Sequence, residues 1–121
     1  MQNEEFENLI NAAIVALPKN ILAKLDNVEI TMEEGDSPDN SLFGLYHGVS
    51  QLKRGSTYGY GSVLPDKITI YKGTIEKFAT DPADIPFMVR RVVWHEIGHH
   101  FGFDEEGVRR LEEKWRREGK V

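Results

Sequence analysis

Residues 95–105 read His95-Glu96-Ile97-Gly98-His99-His100-Phe101-Gly102-Phe103-Asp104-Glu105. Wound as a helix, this stretch sets His95 and His99 one turn apart and about 40° apart around the axis, so their imidazoles project side by side. Such a pair offers two nitrogen ligands to one divalent ion. Zinc favours these ligands, together with a third protein ligand and an open position for water. Glu96 points away from the histidine pair, where it can take a proton from water activated by the ion. The competing use of the stretch is a structural helix with two incidental histidines, and the flanking residues argue against it.

Upstream, Met88 and Val92 share the face of His95 and His99. Phe87, Val93, Trp94, Ile97 and Phe101 cover much of the remaining circumference. A helix apolar nearly all round is expected to be buried, and a buried Glu96 without partner or task is costly. Asp81 or Asp84 can cap this helix, and Pro86 suits its first turn. Gly102, lacking a Cβ, can end it in a left-handed turn that redirects the chain. Such a turn can bring Glu105, Asp104 or Glu106 back towards the ion as third ligand. These acids also suit the start of a final helix from about Asp104 to Arg117, with Val108, Leu111 and Trp115 as its buried stripe. Glu112 and Glu113 on that helix are either a source of a ligand or, more ordinarily, ion-pair partners of Arg116 and Arg117.

Further out, Phe6, Leu9, Ile10, Ala13, Ile14 and Leu17 form one apolar stripe of an amphipathic helix that Pro18 stops. Ile21, Leu22 and Leu25 suggest a short helical turn. Val28, Ile30 and Met32 alternate with Glu29, Thr31 and Glu33, the period of a strand with one wet face. A surface loop from Glu34 to Ser41 follows, then a second short strand over Phe43 to His47. The stretch Gly55 to Ser62, with Tyr58 and Tyr60, reads as a loop. Lys67 to Lys72 reads as the third strand, with Ile68 and Ile70 on one face, and Gly73 to Phe78 as a helical turn. With no repeat and no linker, the expectation is one α+β domain over residues 1–121.

Composition agrees with a globular chain. Of 121 residues, 40% are hydrophobic and 29% charged, so the class is neither disordered nor membrane-embedded. The apolar run Leu9 to Leu17 is too short to span a bilayer. Glu4, Glu5 and Glu7 stand before it, where an export signal would carry positive charge, so a cytoplasmic location is expected. The net charge of −5 gives no general attraction for nucleic acid or anionic lipid, and neither is an expected partner. There is no cysteine, so any metal rests on His, Asp or Glu.

At the level of motif the sequence resembles the compact bacterial zincin-like metallopeptidases, which share an HExxHxxGxx(Asp/Glu) segment. The likeness extends upstream to Gly44-Leu45-Tyr46-His47-Gly48-Val49 and Leu64-Pro65-Asp66-Lys67-Ile68-Thr69-Ile70-Tyr71. It implies a minimal zincin-like fold: a small, mainly antiparallel sheet packed against the active-site helix, with N- and C-terminal helices. It also implies one zinc ion on His95, His99 and Glu105, with Glu96 as general base. Two departures stand out. Asp is common at the third-ligand place, where this chain has Glu105 after Asp104. The third histidine and the methionine turn of the larger metzincins are also absent, the last methionine being Met88.

The expected function is hydrolysis of a peptide or protein substrate by a monomer. The substrate would lie along an exposed strand edge, for which Phe43 to His47 is the candidate. His100 points about 100° away from His99 and reads as a core or supporting residue. His47 reads as structural, and Tyr46, Tyr58 and Tyr60 are candidate donors to an oxyanion. The alternatives are a non-catalytic or latent zinc-binding domain and a metal-free interaction module.

Overall fold

The computed structural model describes residues 1–49 and 65–119. The tyrosine-containing segment Gly55 to Ser62 therefore lies outside the described residues. Helix α1 spans Asn3–Val15 and buries Phe6, Ile10 and Ala13, the stripe the sequence predicts. Glu4 and Glu5 in its first turn suit the positive end of the helix dipole. After Pro18 a single helical turn, α2, covers Lys19–Leu22. Three strands follow: β1 at Val28–Glu33, β2 at Gly44–His47 and β3 at Asp66–Tyr71. Helix α3 spans Lys72–Phe78, a 3-10 turn covers Pro82–Asp84, α4 spans Ile85–Phe101 and α5 spans Glu105–Arg117. This is an α+β arrangement in which the longest helix carries the histidine pair.

The strands lie in the order β1-β3-β2, with β3 in the middle. Ile68 and Ile70 of β3 are fully buried. The sheet is mixed rather than mainly antiparallel, which corrects one expectation. The longer pairing, β1 with β3, is parallel and aligns Ile30 with Ile68; β2 pairs with β3 antiparallel and aligns Tyr46 with Ile68. A parallel pair needs a long connection back to the same end of the sheet, and residues 34–65 supply it, with β2 inside it on the far edge of β3. The loop before β2 is fastened to α3 and to the end of β3. Ser37 N–H donates to Thr74 Oγ1 at 3.0 Å, and Tyr71 N–H donates to the Phe43 carbonyl at 2.9 Å. Lys72, expected to close the third strand, instead opens α3; its stem is buried and its ammonium meets Glu76 at 3.3 Å.

Helix α4 crosses the sheet and takes α1 on one flank and α5 on another. Val89, Val93, Trp94 and Ile97 are buried, and the Trp94 indole N–H donates to the Ala13 carbonyl at 2.8 Å. The helix is not buried all round as expected. Phe87 is 51% exposed, with the Arg91 guanidinium 5.8 Å above its ring, and Met88 and Val92 are half-buried beside an open cleft. At the entry, Asp81 caps the 3-10 turn by accepting from Ala83 N–H at 2.9 Å; Asp84 makes no side-chain cap. At the exit, Gly102 adopts φ 110°, Gly102 N–H bonds the His99 carbonyl and Phe103 N–H bonds the Gly98 carbonyl. That pair of bonds is the left-handed helix stop expected of a glycine. No described helix is long and apolar enough to cross a membrane.

Candidate metal centre

The centre depends on two close approaches to α4. A Cβ at Gly44 would lie 2.8 Å from Val92 Cγ1 and 3.2 Å from Glu96 Cγ, so only glycine lets β2 run this near the helix. On the other flank, a Cβ at Gly98 would lie 2.9 Å from Val108 Cγ2, so the bare backbone there seats α5. The Trp94 and Trp115 rings meet edge-on at 4.8 Å and hold the far end of that contact. Thus β2 and α5 flank the turn that carries His95, Glu96 and His99.

His95 and His99 lie side by side, their ring centroids 5.1 Å apart. His99 Nδ1 meets the Phe103 carbonyl at 2.8 Å, and a carbonyl can only accept, so that nitrogen carries the proton. His95 Nδ1 meets Glu112 Oε1 at 2.5 Å. Both remaining Nε2 atoms face Glu105: His99 Nε2 is 2.8 Å from Oε1 and His95 Nε2 is 3.5 Å from Oε2. One ligand atom from each of His95, His99 and Glu105 falls within 4.8 Å of the other two. Two imidazole nitrogens and one carboxylate oxygen make the donor set that an open zinc site takes, and each ring nitrogen not facing the group is already engaged. The residues present therefore fit a zinc ion.

Glu96 stands on the cleft side of α4 and is only 9% exposed. Burial pushes its carboxyl above the usual glutamate value. His95, His99 and the Tyr46 backbone N–H draw it down, and Glu105 adds to the rise; burial prevails. The cleft holds about 1140 Å³ and is walled by β2 (Phe43, Gly44, Leu45, Tyr46) and by Met88, Arg91 and Val92 of α4. His95, Glu96 and His99 line it, as do Phe103, Asp104 and Glu105.

The remaining candidates fall elsewhere. Asp104 caps α5, accepting from Gly107 N–H at 2.8 Å. Glu106 pairs with Arg110 at 2.8 Å, one turn along α5. His100 is fully buried on the far side of the helix. Its Nδ1 meets Asp66 Oδ2 at 2.8 Å, and its Nε2 accepts the Asp26 N–H at 3.3 Å. Tyr46, a candidate oxyanion donor, gives its hydroxyl to that same Asp66 oxygen at 2.5 Å. His47 is exposed at the end of β2 and does not line the cleft. Tyr58 and Tyr60 lie outside the described residues.

Sequence reasoning missed the contact between Glu112 and His95, having left that acid as a source of a metal ligand or, more ordinarily, a partner of Arg116 and Arg117. The available signal was spacing: Glu112 follows Glu105 by seven residues, two turns on, and so shares its face of α5. Asp66 was likewise not singled out, although its carboxylate joins Tyr46 to His100.

A family model described as zincin-like metallopeptidase matches residues 24–115. No curated protein matches. Among solved structures, the chain is similar to a conserved hypothetical protein from T. thermophilus. The two are 21% identical with a TM-score of 0.57, over 96% of this chain and 99% of the other. At that identity the likeness shows a shared fold.

Proposed function

The chain belongs to the zincin-like metallopeptidase family, and from that premise we propose that it hydrolyses peptide bonds, with one zinc ion held by His95, His99 and Glu105 and with Glu96 as general base. The observation that carries this reading is the convergence of two imidazole Nε2 atoms on one carboxylate, beside a buried acid that lines an open cleft. Zinc bound there would supply an acidified water and polarise the scissile carbonyl.

The chain's own residues do the rest. Glu96, one position from His95, accepts the proton from the attacking water and returns it to the leaving amine. Burial raises its proton affinity in the metal-free protein, and a bound cation would draw it back down. The Tyr46 backbone N–H of β2 donates to that carboxylate. Three convergent side chains among the described residues, rather than four, leave room for water and so favour catalysis over a purely structural site.

A peptide lying extended beside β2 would place its backbone along the cleft wall. Leu42 and Phe103, exposed at 37% and 41%, offer apolar contact for its side chains. The test is metal content together with activity. Protein purified without added metal should carry about one zinc per chain. It should cleave an unfolded protein substrate, lose that activity to a chelator and regain it with zinc. Stoichiometric zinc with no hydrolysis of any peptide library would instead establish a non-catalytic zinc domain.

A further inference from the structure

Glu112 sits on the opposite side of the His95 ring from the convergence point. Its Oε1 lies 2.5 Å from His95 Nδ1, and its side chain is 19% exposed. A carboxylate only accepts, so a neutral His95 facing it carries its proton on Nδ1 and keeps its lone pair on Nε2. The two ring nitrogens point in divergent directions, so a group bonded at Nδ1 does not share an ion with Nε2.

We propose that Glu112 is a positioning residue that holds His95 in the tautomer and ring orientation its metal role requires. The inference rests on the zinc reading given above. The two histidines are served unequally. His99 is oriented by the Phe103 main-chain carbonyl at 2.8 Å, which no side-chain substitution removes, whereas His95 depends on a side chain from another helix. That helix is seated independently of any ion, by Val108 against Gly98 and Trp115 against Trp94. The one element thus brings both Glu105 and Glu112 to the histidine pair, the first on Nε2 and the second on Nδ1.

The test compares wild type, Glu112→Gln and Glu112→Ala as metal-free proteins titrated with zinc against a chromophoric chelator. Loss of such a supporting partner costs about 10–100-fold in metal affinity, and that is the expected loss for the Ala variant. The Gln variant keeps a neutral acceptor and should fall between. Metal-free melting temperatures should stay close to wild type, and the cobalt-substituted Ala variant should keep the wild-type visible spectrum. Equal zinc affinities in all three proteins would overturn the inference. A cobalt spectrum showing a changed coordination number in the Ala variant would also overturn it, by making Glu112 a ligand. If the Ala variant fails to fold, the isosteric Gln variant decides alone: several-fold weaker binding supports the role, and unchanged binding removes it. Failure of the wild type itself to bind zinc would remove the metal reading, a separate result.

Discussion

His99 and His100 are neighbours in the chain and opposite in circumstance. His100 has both ring nitrogens engaged by protein, Asp66 on one and the Asp26 N–H on the other, with no exposed surface. His99 has one nitrogen engaged by main chain and aims the other, with that of His95, at an exposed glutamate in an open cleft. The first arrangement is closed, and it ties α4 to β3 and, through Tyr46, to β2. The second is open on one side. What separates structure from chemistry along this helix is whether fixed protein partners already meet the polar capacity of the ring.

The comparison predicts contrasting failures. The largest effect is expected at Glu96, where Glu96→Gln should lower turnover by about 10³-fold, within the range for losing a general base, while zinc stays bound. Retained full turnover would refute the assigned base and weaken the contrast. Next come the paired substitutions. His100→Ala should destabilise the fold by about 2–4 kcal/mol, by opening a cavity and leaving Asp66 short of a partner, yet keep zinc stoichiometry well below its melting temperature. His99→Ala should abolish stoichiometric zinc but leave the metal-free melting temperature nearly unchanged. If both variants lose zinc and both keep their stability, the two clusters are not the separate units described.

The smallest effect is a pH dependence. Glu96 binds its proton more tightly folded than unfolded, so its contribution to stability is full below the unfolded value, about 4.3. That contribution is lost as pH rises through the folded value. The metal-free Gln variant, which never ionises there, should therefore gain on wild type between pH 4 and pH 7. Thermal melts of the two proteins across that range check the sign, and a gap that narrows with rising pH would contradict it.

Much of this was legible in the sequence, for identifiable reasons. The Phe6 to Leu17 stripe and the alternation at Val28 to Glu33 are local consequences of burial on one face, and a local pattern reports them directly. The helix stop at Gly102 is equally local. Strand direction is different: alternation says which face is wet and nothing about the partner, so the parallel pairing of β1 with β3 was not readable. The contact of Glu112 with His95 was unreadable for a related reason. Arg116 is always one turn away on the same helix, whereas His95 becomes a neighbour only once the rotation of α5 about α4 is known. That rotation is set at Gly98, which in the sequence looks like a free position between two ligands.

The joint at Gly102 has a mechanical consequence. Helix α5 leaves that point like an arm, with Glu105 near the pivot and Glu112 about 10 Å further along. A tilt of about 5° barely moves Glu105 but carries Glu112 through about 1 Å, enough to stretch its short contact with His95. Alignment of the first histidine is therefore most sensitive to errors at the distal, tryptophan end of the arm, and that of the second to errors at the pivot.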